Sequence, residues 1–304
     1  MNFNEPKIYL DTNGVTIKCT SNCKVGFKQL VNGVEYEVVD NTLLRKKRNN
    51  WFRRRNQESV EFTKFCTTLV TDMSDLFNNC GVFFNQPIGS WDVSNVTEMG
   101  EMFSYSQFNQ PLENWNVRNV RNMRGMFSNS QFNQPIGKWN VGAVIDMSFM
   151  FFNCLFNHPI KNWDVSNVEN MNSMFTNSLF NNPLGKWNVK KVTLMSNMFC
   201  NTPFNQPIGN WNVGNLIYAS WMFYYSNFNQ TIGKWDVSKV THMNGMFCDS
   251  KFNQPINRWD VRNVAEMNEM FSNSLFNQDI SKWSIKYITN EPQDFSTNSP
   301  LIKK

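Results

Sequence analysis

The chain has 304 residues, of which 29 are Lys or Arg and 24 are Asp or Glu, giving a formal charge of +5, and 41% of it is apolar. That apolar share supports a packed core and excludes a disordered chain. No stretch of about 18 consecutive apolar residues occurs, which excludes a membrane-spanning helix; seven scattered cysteines favour free thiols in a reducing compartment over a disulfide framework.

Residues 1–64 read as an N-terminal cap. KIYL-DTNG-VTIKC and GFKQL-VNG-VEYEVV each set a Gly-bearing turn between β-prone runs, the pattern of a hairpin. Asp40 or Asn41 then caps a short helix over DNTLLRKKRNNWF. A basic patch follows on this segment: Lys46, Lys47, Arg48, Arg53, Arg54 and Arg55. Beside Trp51 and Phe52 it has the elements of a phosphate-and-base contact. One such run is weak ground, so nucleic acid is disfavoured and a solvated face or an acidic protein neighbour is preferred.

From Phe65 the chain is periodic. Tryptophans stand at 91, 115, 139, 163, 187, 211, 235, 259 and 283, each 24 residues from the last. A fixed period of this size marks a repeat architecture. FCTTLVTDMSDLF (Phe65–Phe77) is the second half of a first copy, joined by a loop two residues longer than the others. Eight complete copies of F-N-Q-P-I-G-x-W-[DN]-V-x-N-V-x-x-M-x-x-M-F start at Phe84, a half copy ends at Ile288, and residues 289–304 form a tail.

Within a copy, Ile88, Trp91, Val93 and Val96 have the spacing of a strand with one buried side, and Val96, Met99, Met102 and Phe103 suit two turns of helix or 3₁₀. The expected fold is an α/β repeat solenoid, leucine-rich-repeat-like, with a parallel sheet on one face and short helical or 3₁₀ segments on the other. Asn85 and its eight equivalents read as a ladder whose amides bond the turn backbone of neighbouring copies. Cys200 and Cys248 share a register two copies apart, roughly 9–10 Å by strand spacing, which is beyond the reach of a disulfide.

The unit FNQPIGxWDVSNVTxMxxMF resembles the repeat of the BspA-like leucine-rich repeat surface proteins, the DUF285 or Mycoplasma-type lipoprotein repeat. The match runs from Phe65 to Ile288, and the leader resembles the cap of such proteins, copies in large DNA viruses of protists included. The resemblance implies non-catalytic binding, often as a surface adhesin. MNFNEPKIYLDTNG lacks the basic-then-apolar layout of a secretory signal and no lipobox occurs, so a cytoplasmic or virion-associated location is expected over a cell surface.

No catalytic, cofactor-binding or metal-ligating set is assigned. Cys19 and Cys23 supply half of a zinc site, with their pairing left open, and the periodic alignment does not bring His158 and His242 together. A partner-binding role is assigned instead to variable exposed positions: Lys186, Asn188, Lys190, Asn212, Lys234, Asp236, Arg258, Asp260 and Arg262 along the strand face. The aromatic run Tyr218, Trp221, Tyr224 and Tyr225 reads as repacked core or a contact patch, with repacking preferred because Ala219 stands where other copies have Met. Trp221 shares its register with Phe149, and Tyr225 with Tyr105. The expected partner is a protein or glycan, with self-association as the alternative.

Overall fold

The computed structural model describes residues 5–53, 60–288 and 291–301. Both leader hairpins form: β1 (Ile8–Leu10) pairs antiparallel with β2 (Ile17–Cys19), and β3 (Lys28–Val31) with β4 (Val34–Asp40). Asp40 starts the helix α1 (Asn41–Arg53), its Oδ1 accepting the Leu43 N–H at 2.8 Å. β4 then pairs in parallel with β5 (Phe65–Leu69), so the leader is joined to the first copy through one three-stranded sheet. Leu44 and Trp51 of α1 are buried, and both pack into the main core.

Each 24-residue unit lies on the next in register. Parallel bridges join Asp72 to Glu98, Glu98 to Asn122, and so on through His242 to Glu266. The pairing differs from the expected broad sheet in place and extent, being one bridge per unit just before the first Met. The cause is that the N–H groups expected to pair are spent within the unit. Trp115 N–H closes a turn on Leu112 O at 3.1 Å, and Val120 N–H closes one on Val117 O at 3.0 Å, so the Trp-x-Val segment runs between two corners.

The expected helical return is also absent: the described residues of the units contain no helix. Glu101 and Tyr105 have φ of 54° and 52°, and left-handed residues recur at both positions in the following units. A left-handed residue every fourth position breaks an α-helix. It produces a run of turns instead, in which Met102 and Ser104 N–H groups bond back to Met99 and Glu101. The alternate N–H groups of Met99, Glu101, Phe103 and Tyr105 reach the next unit, at Asn122, Arg124, Met126 and Ser128 carbonyls, over 2.7–3.0 Å.

Inside, the Phe, Ile or Leu, Trp, Val and Met positions form continuous buried columns. Tryptophan planes of neighbouring units differ by only 2° to 6°, so the indoles stack nearly parallel along the column. Each indole N–H donates to a backbone carbonyl of the unit before, as Trp139 Nε1 does to Leu112 O at 3.0 Å. The asparagine ladder forms as expected: Asn109 N–H donates to Asn85 Oδ1 at 2.9 Å, and the same bond repeats up to Asn277 and Asn253. No helix among the described residues is long and apolar enough to cross a membrane.

The first unit has no predecessor to fill its turn carbonyls, and α1 supplies the donors. Arg45 Nη1 donates to Ser74 O at 2.9 Å, while Arg48 donates through Nε to Leu76 O at 2.8 Å and through Nη2 to Asn78 O at 3.3 Å. At the far end residues 291–301 supply the final row of turns, accepting from Glu269, Phe271 and Asn273 at Gln293, Phe295 and Thr297 carbonyls.

Candidate interaction surface

Two residues of the basic run, Lys47 and Arg48, are engaged within the protein. Arg48 closes the first unit as described, and Lys47 Nζ pairs with Glu37 at 2.7 Å. Lys46 and Arg53 are exposed, and Arg54 and Arg55 lie outside the described residues. The solvated block read from the sequence is therefore in part the closure of the stack.

On the polar face, Lys186, Lys190, Lys234 and Arg258 are exposed. The amides and acids between them have a structural task. Asn188, Asn212, Asp236 and Asp260 each accept the backbone N–H two residues ahead, at 3.3, 3.2, 3.1 and 3.2 Å. These are Asx turns that hold the corner after the tryptophan. Arg262 also pairs with Asp260 at 2.7 Å, and that bond draws the Asp260 carboxyl down to about 2.

The aromatic run lies on the turn face, outside the core. Tyr218 is 40% exposed and Tyr225 63% exposed, while Trp221 and Tyr224 are half-buried and outside the main core cluster. Repacking around Ala219, the preferred reading from sequence, is thus corrected. The reason is backbone geometry: Trp221 and Tyr225 occupy the two left-handed positions of their unit, with φ of 60° and 50°. The core positions are Met222 and Phe223.

Trp221 meets Tyr224 edge-on at 5.3 Å, and Tyr218 stacks on His242 at 4.6 Å. His242 Nε2 lies 3.5 Å from Glu266 and its Nδ1 is 2.7 Å from the Thr241 hydroxyl.

An equivalent pair stands three units earlier. Phe149 and Phe152 occupy the Trp221 and Tyr224 registers, with ring centroids 5.8 Å apart. The Arg124 guanidinium covers Phe149 at 4.8 Å. With Tyr105, which is 59% exposed at the Tyr225 register, they line a groove of about 280 Å³. Sequence reading matched these registers without joining them into a surface. The available signal was bulk: the left-handed positions otherwise carry mainly Asn, Gly, Ser, Asp and Glu. An aromatic residue there costs about 1–2 kcal/mol relative to a right-handed conformation.

The cysteines are all buried. Cys19, Cys23 and Cys66 share the small leader core with Ile8, Ile17 and Val38. The thiol hydrogen-bonded to Cys19 is that of Cys66, and this contact with burial pushes the Cys19 thiol upward.

The repeat itself has a counterpart among known families. The family described as "Mycoplasma protein of unknown function, DUF285" matches residues 46–155, 129–227 and 204–303. The chain belongs to the DUF285 family. Three overlapping matches in tandem fit a DUF285 repeat protein of the BspA-like kind, whose family description assigns no activity. No curated protein and no solved structure matches this DUF285 chain.

Proposed function

We propose that this DUF285 protein is a non-catalytic binding scaffold, a leucine-rich-repeat-like solenoid whose exposed turn face holds a protein or glycan. The observation that carries the reading is the contrast between a uniform stack and four bulky aromatics in left-handed positions, Tyr105 and Tyr225 exposed and Phe149 and Trp221 half-buried. Every unit needs left-handed backbone at these registers, but none needs an aromatic side chain there, and the strain that such a residue adds points to a use. The commitment of the Asn and Asp row to corner turns supports a role without catalysis. Seven buried thiols support a reducing compartment, in a cytoplasm or a virion.

The test is to pass a panel of glycans and purified proteins over the immobilised full chain and to recover each retained ligand for mass spectrometry. A ligand held and returned unchanged is the expected result. Retention of nothing, or conversion of a retained ligand, overturns the reading.

Self-packing is the second reading, favoured by one feature. The C-terminal end has a cleft of about 720 Å³ with half-buried Ile280, Trp283, Phe295 and Leu301 in its lining. Head-to-tail stacking on this end would have to displace Arg45 and Arg48 from the opposite end of the next copy. A single sedimenting monomer at high protein concentration would rule self-packing out.

A further inference from the structure

We propose that the turn face is a track for an extended, neutral pyranose oligosaccharide, gripped at two points by the Phe149/Phe152 and Trp221/Tyr224 pairs. The inference rests on the scaffold reading above and assigns its ligand class.

Geometry comes first. The two pairs occupy the same two registers in units three apart, which is about 14 Å at the spacing of parallel backbone ladders. Because the backbone bridges repeat in the same register from unit to unit, the pairs lie on the same face of the stack. Tyr105 and Tyr225 extend this face on the other left-handed register. An extended β-1,4-linked pyranose chain advances by close to one unit spacing per sugar. A sugar seated on one pair therefore places the third sugar onward over the next.

The chemistry between the grips suits hydroxyl groups. The two intervening units present half-buried Asn197 and the exposed amides of Asn177 and Asn201, the last two joined at 2.8 Å. Amides and hydroxyls both donate and accept, as sugar hydroxyls do. The ring surfaces that Arg124 leaves open on Phe149 and Gly245 leaves open on Trp221 take the apolar C–H faces of the sugar, the usual division between apolar walls and a few placed polar groups.

Charge argues against an anionic ligand. The charged side chains in the row of turns from Gly100 to Asn273 include three acids, Glu101, Asp249 and Glu269, against Arg124. Form argues against a protein. Protein interfaces gather their aromatic anchors near one centre, whereas these are strung out with a polar interval between them.

Other units supply the controls, since Asn stands at both left-handed positions in the unit before Trp221, as Asn197 and Asn201. Trp221→Asn and Tyr225→Asn thus restore a residue that this backbone already accepts. Isothermal titration of the full chain with β-1,4-linked gluco-, manno- and xylo-hexasaccharides, the matching disaccharides and a sulfated hexasaccharide is the experiment. At least one neutral hexasaccharide should bind, at least tenfold more tightly than its disaccharide and than the sulfated chain. Trp221→Asn and Phe149→Asn should each weaken it at least tenfold.

The melting temperature of Tyr225→Asn should be equal to or above that of the parent, and this variant keeps the test open if Trp221→Asn fails to fold. Absence of binding by all neutral hexasaccharides overturns the inference, as does binding unchanged in Trp221→Asn and Phe149→Asn. If a purified protein is instead bound and lost in the same variants, the glycan inference falls and the scaffold reading stands. If nothing is retained, both fall.

Discussion

The indole of Trp221 lies flat against the backbone of Gly245, one unit further on: a Cβ built at residue 245 would come within 2.0 Å of the ring. Gly245 also has a φ of +55°, a conformation that L side chains rarely adopt. Gly245→Ala should therefore lower stability by about 1–3 kcal/mol, from strain and from the displaced ring. Pairing it with Trp221→Asn should recover about 1 kcal/mol or more of that loss. A double-mutant cycle on denaturant midpoints measures the recovery, and purely additive losses would show that ring and glycine are uncoupled.

The tryptophan column makes a second, separable prediction. Trp139→Phe keeps a ring in the column but leaves the buried Leu112 carbonyl without its 3.0 Å donor. A buried acceptor stripped of its partner costs about 1–3 kcal/mol. Denaturant unfolding should show that loss, while far-UV circular dichroism stays unchanged. A neutral substitution would mean that the indole N–H contributes shape alone.

Arg48→Ala should loosen one end of the molecule and leave the other alone. Its two carbonyl contacts, to Leu76 and Asn78, are charge-assisted, a class worth about 1.5–3 kcal/mol each before allowance for their partial exposure. In a stack where each unit touches its neighbours, the effect should stay local. Hydrogen exchange should quicken across residues 71–79 and hold steady across 243–273. A uniform change over the whole chain would contradict this local closure.

Alkaline pH should destabilise the fold through the buried thiols. Burial raises Cys154 from the ordinary 9.0 to about 11. Between those values the unfolded thiol loses its proton and the folded one keeps it, so the thiol's contribution is whole below 9.0 and falls as pH rises to about 11. Cys154→Ser, which matches Ser130 and Ser178 in the adjacent units, should flatten this limb of the stability curve. Melting temperatures from pH 8 to 11 decide the matter, and an unchanged limb would place the alkaline loss elsewhere.

The period and the contents of the core could be read from nine tryptophans, because a column must repeat the same volume at the same place. The asparagine ladder, the two hairpins and the Asp40 cap were also legible, since each depends on local chemistry. Val96, Met99, Met102 and Phe103 misled because their spacing satisfies a helix and a run of turns alike. The deciding mark was elsewhere, in Asn129, Asn153, Asn177 and Asn201, which share a register where left-handed backbone is needed.

The role of Arg45 and Arg48 was not legible at all. Their acceptors lie 28 to 30 residues away and become vacant only because no unit precedes the first. The aromatic surface was half legible: registers could be matched, but whether Trp221 points inward depends on the sign of φ.

The arginine closure also has a consequence for how the chain can change length. The internal joints share one main pattern of backbone donors and acceptors, and the arginine closure sits only at the first end. Excising or duplicating 24 residues in the middle would thus leave both ends intact. Such an edit would, however, alter the distance between Phe149 and Trp221 by one step. The molecule is in this sense a ruler with fixed end-stops, on which the number of graduations between two marks can be selected without redesigning anything else.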